Sequence, residues 1–152
     1  MELGVEPGVA PTSVERVRAL LNTDDRFHGT DRLAGVAPAP LVTLRDAIRA
    51  YLSTGDAAAL DTLATEHPFV VAFDGGAARL VPTTDDGLVG DLLAEVHRAH
   101  QAGEWVRLKQ CANPDCQWVF FDSSRNRSGR WCSMGECGDV MKARAYRRRA
   151  RG

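Results

Sequence analysis

No apolar run in these 152 residues approaches the ~18 that a membrane-spanning helix needs, so no membrane-embedded role is expected. Met1 to Pro11 lacks both the basic start and the apolar stretch of a secretion signal, and a reducing, cytoplasmic setting is the expectation. Internal repeats and low-complexity tracts are missing as well. Cysteine is scarce and unevenly placed: there are four, and none precedes Cys111. Two disulfides would be the natural reading in an oxidising compartment, whereas in a reducing one the paired spacing points to metal.

The four form two equal pairs, Cys111 and Cys116, then Cys132 and Cys137, in the pattern C-x4-C-x15-C-x4-C. A tetrahedral Zn²⁺ with Zn–S bonds near 2.3 Å needs sulfurs roughly 3.8 Å apart, which two short loops brought face to face supply. Disulfides, free thiols, redox chemistry and another metal are the competing readings, and the usual iron–sulfur spacings differ from this one. A module of roughly 46 residues cannot bury enough apolar surface to fold alone, so one structural Zn²⁺ per chain is expected. Four thiolates close the coordination sphere and leave no position for an activated water, and the chain is therefore not expected to be an enzyme.

The formal net charge of −1 conceals an asymmetry. Residues 1–106 carry 8 basic and 16 acidic side chains, a net of −8, while residues 107–152 carry 11 basic and 4 acidic ones, a net of +7. Such a break suggests a basic module for a polyanion attached to an acidic body with another task. The length suits that division, with a domain of about 100 residues plus a small appended module.

Patterning along the chain predicts an α+β fold, a mostly helical N-terminal domain with one β-hairpin followed by a treble-clef-like or ribbon-like four-cysteine zinc module ending in a basic helix. Thr12 and Glu15 have capping-box spacing before Val14, Val17, Leu20 and Leu21, which predicts a helix over 13–22. Asp24 to Pro40 reads as loop or linker. Leu41, Leu44, Ala47, Ile48, Tyr51 and Leu52 mark a second helix, and Asp56 is placed to cap a third that runs to about Glu66. Phe69 to Phe73, Asp74-Gly75-Gly76 and Ala77 to Val81 read as a β-hairpin. Asp85 or Asp86 is expected to open a fourth helix ending near Gly103, and Asp139 to Arg149 a last one.

Cys111-Ala-Asn-Pro-Asp-Cys116-Gln-Trp-Val-Phe-Phe-Asp, the arginine-bearing loop to Trp131, Cys132-Ser-Met-Gly-Glu-Cys137-Gly, and Lys142-Ala-Arg-Ala-Tyr146-Arg-Arg-Arg together resemble the CGNR zinc-finger family of bacterial proteins. In that family the finger follows a mostly helical domain called ABATE, and Leu21-Asn22-Thr23 with the helices and hairpin resembles a shortened version of it. The resemblance implies an ABATE-like domain over 1–105, a CGNR-type finger over 106–152 and a role in transcription regulation. Cys137-Gly138 is here followed by Asp139-Val140, so the Asn and Arg of the family's name are absent.

At about 100° per residue, Arg144, Arg147, Arg148 and Arg151 fall within one arc of about 100°, and Ala143, Tyr146 and Ala150 form a separate face expected to pack on the zinc core. Together with Lys142 and with Arg125, Arg127 and Arg130 of the loop, the stripe is a candidate nucleic-acid contact, since guanidinium groups suit phosphate oxygens. A solvated helix C-terminus complementing the macrodipole is the plainer alternative. Trp118 and Trp131 are expected in the core around the metal, His97 and His100 as a surface pair, and Asp122, Ser123 and Ser124 in turn formation. DNA is the expected ligand; an RNA-binding module and a protein-interaction module are the alternatives. The acidic body is expected to serve ligand sensing or homodimer formation.

Overall fold

The computed structural model describes residues 2–85 and 87–152. Among the described residues, five α-helices and three small antiparallel hairpins make an α+β fold in which the last helix follows the four cysteines. The helices are α1 (Thr12–Leu21), α2 (Ala39–Thr54), α3 (Ala58–Glu66), α4 (Leu88–Gln101) and α5 (Asp139–Ala150). The hairpins pair β1 (Asp24–Asp25) with β2 (Thr30–Asp31), β3 (Phe69–Asp74) with β4 (Ala77–Pro82), and β5 (Leu108–Gln110) with β6 (Val119–Phe121).

Helical periodicity builds the core. Val14, Val17, Leu20 and Leu21 of α1 are fully buried against Leu44 and Ile48 of α2 and Val89, Leu92, Leu93 and Val96 of α4. The same cluster includes Trp105, Leu108 and Val119, so the apolar core of the helices continues into the hairpin that carries the first cysteine pair. Asp74-Gly75-Gly76-Ala77 closes the β3–β4 hairpin with φ of 53° and 83° at the two glycines, a sign of φ that glycine adopts at little cost.

Several local expectations are revised. The Thr12–Glu15 capping box does not form: Pro11 precedes α1 without a side-chain cap. Glu15 is instead buried, accepting from the Glu6 N–H at 2.8 Å and pairing with Arg18 at 2.7 Å. An inward-facing Glu whose partner lies one turn on is more strongly held by that guanidinium than by a helix end. The predicted loop over 24–40 contains the short β1–β2 ladder, and α2 starts at Ala39. Asp56 does accept from the Ala58 N–H at 3.1 Å at the start of α3. Gly87 precedes α4 with no side-chain cap, so Asp85 does not serve there, and Asp86 lies outside the described residues.

Candidate metal centre

Strand alternation decides what each side of the β5–β6 hairpin meets. Along 118–121, Trp118 and Phe120 pack against the cysteines, while Val119 and Phe121 pack into the helical core, as expected for side chains that alternate across a strand. In β5, Leu108 joins the core and Lys109 faces the other way, toward Asp122. This hairpin is therefore the wall between body and metal centre.

The first cysteine pair sits on a tight knuckle. Cys111 N–H donates to the Trp118 carbonyl at 2.8 Å, closing the hairpin end, and the Cys116 and Gln117 N–H groups both donate to the Asn113 carbonyl, at 3.0 and 3.1 Å. Gln117 takes a left-handed φ of 57° to leave the turn. Of the second pair, Cys132 precedes and Cys137 lies within a single π-turn, Met134–Gly138, that runs straight into α5. Gly138 is closely packed there: a Cβ would lie 3.2 Å from both the Met134 side chain and the Trp131 ring, which would have to shift.

All four Sγ atoms lie within 4.8 Å of one another, with Cys116 to Cys132 at 3.7 Å and Cys132 to Cys137 at 3.6 Å. Those separations match the ~3.8 Å edge of a tetrahedral ZnS₄ unit. Burial pushes the Cys116 thiol up to about 11, and burial together with the neighbouring thiols raises Cys132 as well. For Cys137, burial is outweighed by hydrogen bonds from the Asn113 amide, at 3.4 Å, and from the neighbouring thiols, which hold it below the ordinary thiol range. Four sulfurs this close are costly to ionise in one another's company, and a dication that binds thiolates removes the cost. The donor set fits one structural Zn²⁺, held by Cys111, Cys116, Cys132 and Cys137, with Trp118, Phe120 and Trp131 around it.

The loop before Cys132 is fastened by Asp122, which is buried. Its carboxylate accepts from Lys109 Nζ at 2.7 Å, the Ser124 N–H at 3.0 Å and the Gly129 N–H at 2.9 Å. Burial alone would raise this carboxyl, but the bonds from Lys109, Ser124 and Gly129 hold it well below the usual carboxylate range. Lys109 also donates to the carbonyls of Arg127 and Gly129. Asp122 and Ser124 thus shape a turn. A Cβ at Gly129 would come within 2.8 Å of the Asp122 carboxyl, so that position must stay small.

Arg125, Arg127 and Arg130 project from the fastened loop and are exposed, with the Arg130 guanidinium 4.9 Å above the Trp131 ring. Lys142, Arg147, Arg148 and Arg151 are exposed on and just after α5, whereas Arg144 is half-buried and pairs with Asp115 at 2.9 Å. The α5 residues that are not exposed are Met141, Arg144 and Ala145. The expectation that Ala143, Tyr146 and Ala150 pack on the zinc core is overturned: all three are exposed, Tyr146 by 68%. The π-turn rotates the helix so that its apolar strip points to solvent. His100, on the acidic body, stacks on Trp105 at 4.9 Å and meets the Tyr51 hydroxyl at 3.2 Å.

Sequence reasoning missed the residues that join centre and body. Asn22 pairs with the outer edge of β6 through both halves of its amide, donating to the Val119 carbonyl at 2.8 Å and accepting from its N–H at 2.9 Å. Arg49 donates to the Leu21 carbonyl at 2.6 Å and the Gln117 carbonyl at 3.2 Å, and burial lowers its pKa. Leu21-Asn22-Thr23 stands out as a motif, but its partner lies 97 residues away.

Residues 107–150 match the CGNR zinc finger family, which covers the hairpin, both cysteine pairs and α5. No match was found among curated proteins.

Proposed function

We propose that the protein is a zinc-dependent nucleic-acid-binding protein, specifically a DNA-binding transcription regulator working in the cytoplasm. The observation that carries this reading is α5. None of its twelve residues is buried, and it presents five basic side chains against a single acid, with Arg151 just beyond. A helix with only three half-buried residues contributes little to folding, yet it continues directly from the four-cysteine centre. Such a device suits an external polyanion better than a core. The acidic body, with an open groove between Leu41, Leu63 and Leu88, is proposed to sense a small molecule or to form a homodimer. No catalytic role is proposed, since four thiolates saturate the metal.

Binding of the full-length zinc-loaded protein to duplex DNA, measured against salt, tests this. Engaging four to seven phosphates gives a log K against log salt slope of roughly −4 to −6. No binding to any duplex at low salt moves the protein to the protein-interaction class, and preference for single-stranded RNA moves it to RNA.

A further inference from the structure

We infer that α5 lies in the major groove of duplex DNA with Ala143, Tyr146 and Ala150 facing the base edges, flanked by two cationic rails that each hold one phosphate strand. This rests on the DNA-binding reading above and adds to it a face, a groove and a division of labour.

The geometry follows from which side of the helix is occupied. Met141, Arg144 and Ala145 are half-buried, with Arg144 paired to Asp115 of the knuckle, and every other residue of α5 is exposed. At about 100° per residue, counted from Asp139, the three inward residues centre near 190°, while Ala150, Ala143 and Tyr146 lie near 20°, 40° and −20°. The strip is thus diametrically opposite the attachment. On one flank stand Arg147 and Arg151, near 80° and 120°, and on the other Lys142 and Arg149, near −60° and −80°.

A helix pole that merely met water would carry the helix's most polar residues. Here the order is reversed: the pole bears two alanines and a tyrosine, and cations occupy both flanks. The one acid, Asp139, is the first residue, where a carboxylate complements the helix dipole. Two parallel cationic rails with an uncharged strip between them complement two phosphate strands separated by base edges. Size agrees too, because a helix about 10–12 Å across fits a major groove about 12 Å wide but not a minor groove of about 6 Å. Twelve residues span about 18 Å, or roughly five base pairs. Alanine methyl groups can meet thymine methyls, and the Tyr146 hydroxyl can donate to a purine N7 or accept from an exocyclic amine. The strip would then select sequence while the rails supply affinity.

The test uses the full-length zinc-loaded protein and a pool of duplexes with a random core of about 20 base pairs, several times the length that α5 spans, from which bound members are selected. Partial methylation of the selected duplexes should deplete guanine-N7 adducts, which lie in the major groove, from the bound fraction and leave adenine-N3 adducts, which lie in the minor groove. Tyr146→Ala and Ala143→Gln should each reduce the preference for selected over scrambled duplex about tenfold or more, with the salt slope unchanged. Lys142→Gln with Arg149→Gln should flatten the slope by about two units on both duplexes, because each lost phosphate contact removes about 0.9. Zinc content and helical circular dichroism should stay at wild-type values in every variant, since all these side chains are exposed. Interference at adenine N3 or at neither site, or an unchanged slope in the Lys142/Arg149 variant, overturns the inference while leaving DNA binding intact. Absence of binding by the wild type overturns both.

Discussion

Replacing Asn22 by Ala removes one side chain and leaves two buried backbone groups without partners. Val119 is fully buried and its N–H and C=O face the outer edge of β6, where the Asn22 amide supplies both an acceptor and a donor, as a neighbouring strand would. An orphaned buried donor or acceptor costs about 1–3 kcal/mol, so two cost about 2–6. The substitution also leaves room near the strand edge, and a water entering there would recover part of the loss. We therefore expect about 3 kcal/mol, which for a chain of this length lowers the thermal midpoint by roughly 6–12 °C.

Urea unfolding at saturating zinc measures the stability change, and a competition titration with a chromophoric chelator measures zinc affinity in the same variant. Both should fall, because the Asn22 amide holds the strand that carries the cysteine knuckle to the helix that carries the core. Thr62→Ala, at an exposed helix position, is the control and should stay within about 0.5 kcal/mol of wild type. A loss below about 1 kcal/mol for Asn22→Ala, the least that a single orphaned group should cost, would refute the reasoning. So would a full loss of stability with unchanged zinc affinity, since the joint would then serve the body alone.

Chelation of zinc should destabilise the helices as well as the finger. Burial of Leu108 and Val119 contributes about 1.5–3 kcal/mol each, with partly buried Phe121 adding less, against a total of about 5–15 for a domain, so the midpoint of the helical circular dichroism should drop by at least ~6 °C; an unchanged midpoint would show the hairpin to be dispensable to the body. Asp122→Asn should cost about 2 kcal/mol through its charged hydrogen bonds. Because the folded carboxyl is depressed, its contribution is complete above the unfolded value near 3.9 and is lost only as pH falls below that, so the gap between wild type and variant should be constant from about pH 8 to about pH 5.5, and a gap that narrows within that window would sink the assignment. Val140→Arg restores the basic residue of the family's name at an exposed position one turn before Arg144, and should steepen the salt slope by about one unit; an unchanged slope would place that flank of α5 away from the phosphates.

The elements that sequence patterning finds are those with a repeating physical signature. The helical faces of α1, α2 and α4, the Gly-Gly hairpin and the cysteine spacing each rest on periodicity or on a local chain constraint, and each is present in the fold. Failures occur where a specific side-chain partner, near or far along the chain, outweighs a capping or surface preference. Glu15 has the spacing of a capping residue but is held by Arg18 and the Glu6 amide, neither visible in a capping-box pattern. Arg49 belongs to no pattern or motif in the sequence, and its role depends on the Leu21 and Gln117 carbonyls that only the fold brings to it. The orientation of the α5 strip escapes patterning because amphipathicity gives the faces of a helix without saying which one the preceding turn directs inward. That rotation is set by the π-turn leading into α5 together with the Arg144–Asp115 pair.

The centre and the body are coupled through a strand only three residues long. Its alternation sends Phe120, with Trp118 before it, to the zinc side and Val119 and Phe121 to the helices, so a slip of one residue would exchange the two sets and place Val119 against the cysteines. Short strands are poor at holding register by pairing alone. Here register is pinned from three directions: the Cys111–Trp118 bond at the hairpin end, the Asn22 amide on the outer edge and the metal on the face. α5 inherits its direction from the same three constraints, through Asn113 on Cys137 and Asp115 on Arg144. The aim of the basic helix is therefore set by the register of β6, and loosening any one of the pins should blur the helix's direction before it unfolds the protein.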